Sequence, residues 1–70
     1  MIVVNRYALV IARIKAGWNQ TDLAQRCGIS QSYLSQIETG SRTPSPATLN
    51  RVAAALNLDP AELVDIEDVA

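Results

Sequence analysis

Asn19-Gln20-Thr21-Asp22-Leu23-Ala24-Gln25-Arg26-Cys27-Gly28-Ile29-Ser30-Gln31-Ser32-Tyr33-Leu34-Ser35-Gln36-Ile37-Glu38 reads as two short helices joined by a glycine turn. In the first, Leu23, Ala24 and Cys27 fall on one side. In the second, Leu34 and Ile37 do the same, and Gln31, Ser32, Ser35 and Gln36 fall on the other side. Asn19 and Ser30 have the side chains of helix caps, and Gly28 supplies the positive backbone angle that a tight turn needs. A helix face lined with uncharged amides and hydroxyls carries donors and acceptors that suit the edges of base pairs.

Upstream, Tyr7 to Ala16 combines alanine, long aliphatics and bases without proline or glycine, so it reads as a helix capped by Asn5 and ended by Gly17. Trp18, one place before the Asn19 cap, is placed to staple onto Leu23 and fill the core. Downstream, Thr39 to Ser45 holds too many turn formers for regular structure. Ser45 and Pro46 then open a helix whose Leu49, Val52, Ala53 and Leu56 recur at i, i+3, i+4 and i+7. Asp59-Pro60-Ala61-Glu62 repeats the same start signals and predicts a short fifth helix ending near Val64. Ile2-Val3-Val4, β-branched throughout, is expected to be extended: either coil lying on the domain or a strand paired with its copy in a second molecule.

The expected architecture is therefore all-α, five helices in one domain over residues 1–70, with an N-terminal segment at 1–5 that could form a short β-strand, a helical core at 6–64 and an acidic tail at 65–70. The net charge of −1 averages two unlike parts. Residues 1–58 hold all six bases against Asp22 and Glu38, a balance of +4, and residues 59–70 hold five acids and no base. A modestly basic body with an acidic end is compatible with a nucleic-acid partner, provided the body makes the contact. The tail reads as a solvated terminus.

Cys27 is the one cysteine and falls on an apolar face, so it reads as a buried thiol, and histidine is absent. No metal site, cofactor or small-molecule ligand is expected. Serines without a histidine base and scattered carboxylates also argue against an enzyme. The absence of a long apolar run and of a signal-like start predicts a soluble, cytoplasmic protein that does not meet a membrane.

In register, Trp18-Asn19-Gln20, Leu23-Ala24, Cys27-Gly28-Ile29-Ser30, Tyr33 to Glu38, Gly40, Arg42, Pro44-Ser45, Thr48-Leu49 and Ala53 to Leu56 resemble the Cro/C1-type helix-turn-helix regulators, the lambda-repressor-like group that includes small phage repressors. The resemblance covers residues 6–64. It implies a five-helix domain that docks its third helix in the major groove of double-stranded operator DNA. It places Gln31, Ser32, Ser35 and Gln36 at base edges and Asn19, Gln20, Thr39 and Arg42 at phosphates. Tyr33, flanking the buried face, could pack on the core or reach a phosphate. Glu38 turns towards the buried edge and needs a partner, and Arg13 stands where the family supplies one, so the two are expected to form a structural ion pair.

The leading expectation is a sequence-specific transcriptional regulator, a phage or mobile-element repressor or Cro-like protein, working as a homodimer through Ile2-Val3-Val4 or through a surface around Leu63, Val64 and Ile66. The alternative from another class is an antitoxin-type module whose end, Val64 to Ala70, folds onto a partner protein.

Overall fold

The computed structural model describes residues 2–66. The chain runs β1 (Ile2–Val4), α1 (Arg6–Lys15), α2 (Gln20–Cys27), α3 (Gln31–Thr39), α4 (Pro46–Ala55), a single 3-10 turn (Pro60–Leu63) and β2 (Val64–Ile66). Each α-helix starts on a side chain that accepts a first-turn amide: Asn5 from Ala8, Asn19 from Asp22, Ser30 from Tyr33 and Ser45 from Thr48. Asp22 returns the favour to the Asn19 amide, which locks the entry to α2.

The ends are set as firmly as the starts. Gly28, at φ 71°, lets its own amide reach Gln25 O and the Ile29 amide reach Ala24 O at 3.0 Å, so α2 stops and the chain turns into α3. Asn57 does the same work after α4 at φ 58°, with the Leu58 amide 2.8 Å from Ala53 O. Asparagine tolerates the left-handed region because its short polar side chain is compatible with it.

Every helix contributes to one core. Leu9, Leu23, Ala24, Cys27, Leu34, Ile37, Val52, Ala53 and Leu63 are buried together, and Trp18, Tyr33 and Leu49 pack on the outside of the cluster. Cys27 is part of it, with Sγ 4.0 Å from Arg51 O, and burial pushes its thiol up. Alkylation needs both exposure and thiolate, so the folded protein should react with iodoacetamide at least about tenfold more slowly than the urea-unfolded chain. Equal rates, read by mass spectrometry, would place Cys27 outside the core. A thiol raised on folding also contributes stability that is intact below the ordinary cysteine value and is lost as pH climbs through the higher folded one.

Four expectations need correction. The fifth helix is only one 3-10 turn, four residues long, because Val64 leaves it at φ −132° and ψ 154° to begin a strand. Ile2–Val4 is not coil, and it finds a strand partner within its own chain: β1 and β2 form an antiparallel pair with Val4 opposite Val64, Val3 opposite Asp65 and Ile2 opposite Ile66. The backbone demand of each β-branched segment is met by the other, a pairing across the whole chain that local patterning does not display. Leu63 is fully buried, so it cannot serve a dimer surface; Val64 is half-buried and Ile66 is 79 % exposed. The acidic tail begins inside a strand, and its remainder at 67–70, with most of the segment invoked for an antitoxin, lies outside the described residues. Among the described residues no helix is long and apolar enough to cross a membrane.

Candidate nucleic-acid interface

Burial of Leu34, Ile37 and Glu38 fixes how α3 rolls on the domain. It leaves Gln31, Ser32 and Gln36 exposed and Ser35 half-buried at the border of the same face. Tyr33 is half-buried, and its ring carries the Arg42 guanidinium 5.7 Å from its centroid. Thr39 and Arg42 are exposed just past the helix, where the Thr39 hydroxyl is bonded locally to Gln36 O and to the Ser41 hydroxyl.

A relay of side chains connects this face to the interior. Arg13 on α1 donates to Glu38 through Nε at 2.9 Å and through a second nitrogen at 3.1 Å, a two-point bond between a guanidinium and a carboxylate. Its third nitrogen donates to Trp18 O at 2.9 Å. The side chains are 14 % and 6 % exposed, so the pair is largely withdrawn from water. Gln20, the first residue of α2, donates from Nε2 to Glu38 Oε1 at 3.1 Å, and its own Oε1 accepts from Gln31 Nε2 at 3.4 Å.

The carboxylate therefore sets the orientation of two amides in succession. It accepts only, so the nitrogen of Gln20 must face it and the oxygen of Gln20 must face Gln31. Gln31 then spends one N–H on Gln20 and keeps its oxygen and its other N–H for the outside. An amide that presents one donor and one acceptor side by side matches the N7 and N6 pattern of adenine.

The other end of α3 is held by a residue that sequence reasoning missed. Arg6 donates to Thr39 O at 2.9 Å and Glu38 O at 3.4 Å, placing a positive charge on the carbonyl end of the helix. It also donates to the Tyr7 hydroxyl at 2.9 Å. Gly40, at φ 84°, lets the guanidinium stem pass, since a Cβ there would sit 3.3 Å from Arg6 Cδ. Arg6 and Arg13 are two helical turns apart on α1, so their shared face was the available signal.

The structure distributes the bases unevenly. Arg6 and Arg13 are committed to α3, and Arg26 stacks 4.2 Å over Trp18. Asn19 and Gln20 are placed at the mouth of α2 with capping and relay bonds already formed, the Asn19 amide being given to Asp22, so the donors they still offer are Asn19 Nδ2 and the Gln20 amide, which has no acceptor inside the helix.

Residues 9–63 match the helix-turn-helix family. The chain belongs to the Cro/C1-type helix-turn-helix family of regulators. It is 50 % identical over 40 residues to the ImmF control region 10 kDa protein of Bacillus phage phi105, covering 57 % of this chain and 44 % of that protein. It is 41 % identical over 56 residues to an uncharacterised HTH-type transcriptional regulator, y4dJ, of Sinorhizobium fredii, covering 80 % of this chain and 73 % of the relative. This helix-turn-helix chain thus spans less than half the length of the phage relative and nearly three-quarters of the bacterial one. Among solved structures, the restriction-modification controller protein C.AhdI from Aeromonas hydrophila superposes with a TM-score of 0.79 at 32 % identity, over 81 % of this chain and 86 % of that one.

Proposed function

We propose that this helix-turn-helix regulator docks α3 in the major groove of an operator half-site, with Gln31, Ser32, Ser35 and Gln36 at base edges. Asn19, Gln20, Thr39 and Arg42 lie towards the flanking phosphates, with the Tyr33 phenol beside Arg42. The observation that carries this reading is the relay from Arg13 through Glu38 and Gln20 to Gln31. Bonds of this kind fix the direction of a surface amide before DNA arrives, which lowers the ordering cost of a specific contact. The protein acts by occupying its site in the cytoplasm, without catalysis, cofactor or small ligand. Its likeness to a phage control-region protein and a restriction-modification controller supports control of a nearby promoter as the outcome.

One α3 reaches only a few base pairs, so useful specificity requires two copies on half-sites about one helical turn, roughly 34–36 Å, apart. Footprinting on the intergenic DNA beside the gene tests this. Protection of a two-fold symmetric sequence is expected, and uniform coating of all DNA without a preferred site would refute the reading.

Arg42 tests the phosphate side separately. Arg42→Ala should lower affinity for specific and random DNA alike and flatten the dependence of log K on log salt by about one unit per copy. An unchanged slope would remove Arg42 from the phosphate set.

A further inference from the structure

We infer that the two-fold pair proposed on DNA is joined through the outer edge of β1, which adds to the β1 of a second copy. The two sheets merge into one of four strands in the order β2-β1-β1-β2. This rests on the proposed two-fold complex for its biological sense, and on the sheet itself for its physical basis.

A two-stranded sheet with three residues in each strand is marginal by itself, and three or more strands are the usual requirement for stability. Among the described residues the sheet has these two strands, so neither outer edge has a strand partner. The register says which groups those edges present. The Asn5 amide donates to Leu63 O at 2.8 Å, and bonded pairs alternate along an antiparallel ladder, so Val3 and Asp65 form the next inward-bonded pair. The N–H and C=O groups of Ile2 and Val4 therefore point away from β2, and those of Val64 and Ile66 point away from β1.

The two edges differ in charge. Pairing of β2 with itself about a two-fold axis would centre on Asp65 and set two carboxylates directly opposite each other, which is unfavourable. Pairing of β1 with itself centres on Val3, matches Ile2 with Val4 in both directions and forms four main-chain hydrogen bonds, with no charged side chain in the strand. Edge strands that stay single usually carry a charge, a proline or a bulge; β2 has its aspartate and β1 has none. The same aspartate then guards the outer edges of the merged sheet, so growth stops at two copies.

The apolar surface also becomes continuous. Val4 and Val64 line a cleft of about 470 Å³ with Pro44, Pro46, Leu49 and Pro60. Antiparallel pairing centred on Val3 puts the second copy's Val4 on that same face, beside the mouth of the cleft.

Chemical synthesis can replace the Val4 amide by an ester, which deletes the outward N–H and keeps the side chain. In sedimentation equilibrium the unmodified chain should be a reversible dimer, and the Val4 ester should weaken dimerisation about 100-fold, because symmetry removes two hydrogen bonds. An ester at Val64, on the other edge, should leave it within about threefold, since that N–H donates only to water. A monomeric unmodified chain at millimolar concentration, a Val4 ester that dimerises normally, or greater damage from the Val64 ester would overturn the inference. Half-site affinity is measured alongside and should be the same for the unmodified chain and both esters, which leave the charge unchanged. A chain that dimerises through β1 yet ignores every half-site would sink the DNA reading and leave the edge standing.

Discussion

Glu38→Ala should cost about 3–5 kcal/mol of stability, the range found when one partner of a buried ion pair is removed. The side chain is 6 % exposed and accepts from two nitrogens of Arg13 and from Gln20, so alanine leaves three donors without their acceptor. Water can reach part of the loss, since Arg13 is 14 % exposed, and this favours the lower end of the range. For 70 residues the whole stability is of the order of 4–10 kcal/mol, so the variant stands near its unfolding threshold at room temperature. Urea titration followed by circular dichroism gives the number. A fully stable Glu38→Ala protein that fails only to bind DNA would show that the carboxylate contacts DNA or its hydration and does not hold the fold.

A paired substitution separates stability from orientation. Replacing Arg13 with methionine and Glu38 with leucine together removes both charges from the interior, and well-packed apolar replacements of buried ion pairs are often neutral or stabilising. The double variant should recover most of the stability lost in Glu38→Ala. It should not recover sequence discrimination, because Gln20 no longer has a carboxylate to fix its amide and Gln31 loses its oriented neighbour.

The helix boundaries were legible because their signals are local. Asn19, Gly28 and Ser30 lie within a few residues of the bonds they make, so the reading of α2 and α3 from caps and periodicity agrees with the structure. The two-stranded sheet was not legible in the same way. Ile2-Val3-Val4 announces an extended segment, but its partner lies sixty residues away and carries the start signals of a helix just before it. Asp59, Pro60 and Glu62 do start a turn; nothing in those residues says that Val64 will leave it to satisfy β1. In the candidate interface, the exposed face of α3 could be read from periodicity. The role of Gln20 as a bridge could not, because a polar residue at a helix start has several partners within reach and only the packed geometry chooses Glu38 and Gln31.

Gln31→Ala should lower affinity for the specific site by roughly 1–3 kcal/mol, about five- to more than a hundredfold, and scarcely change binding to random DNA. The expected asymmetry follows from what the side chain offers. An uncharged amide adds little to phosphate attraction, so it contributes where a base edge supplies the matching donor and acceptor. Stability should hold, since Gln31 is exposed and its bond to Gln20 is long at 3.4 Å. Gln20→Ala then provides a companion test, because it deletes the bridge while leaving Gln31 in place. If orientation is what Gln20 contributes, its loss should reduce specific affinity by part of the Gln31 effect, and the two losses should not add: once Gln31 is alanine there is no amide left to orient. Competition titrations on specific and random duplexes give both numbers. Equal losses on the two DNAs would refute base reading by Gln31, and fully additive losses would show that Gln20 meets the DNA independently and not through its neighbour.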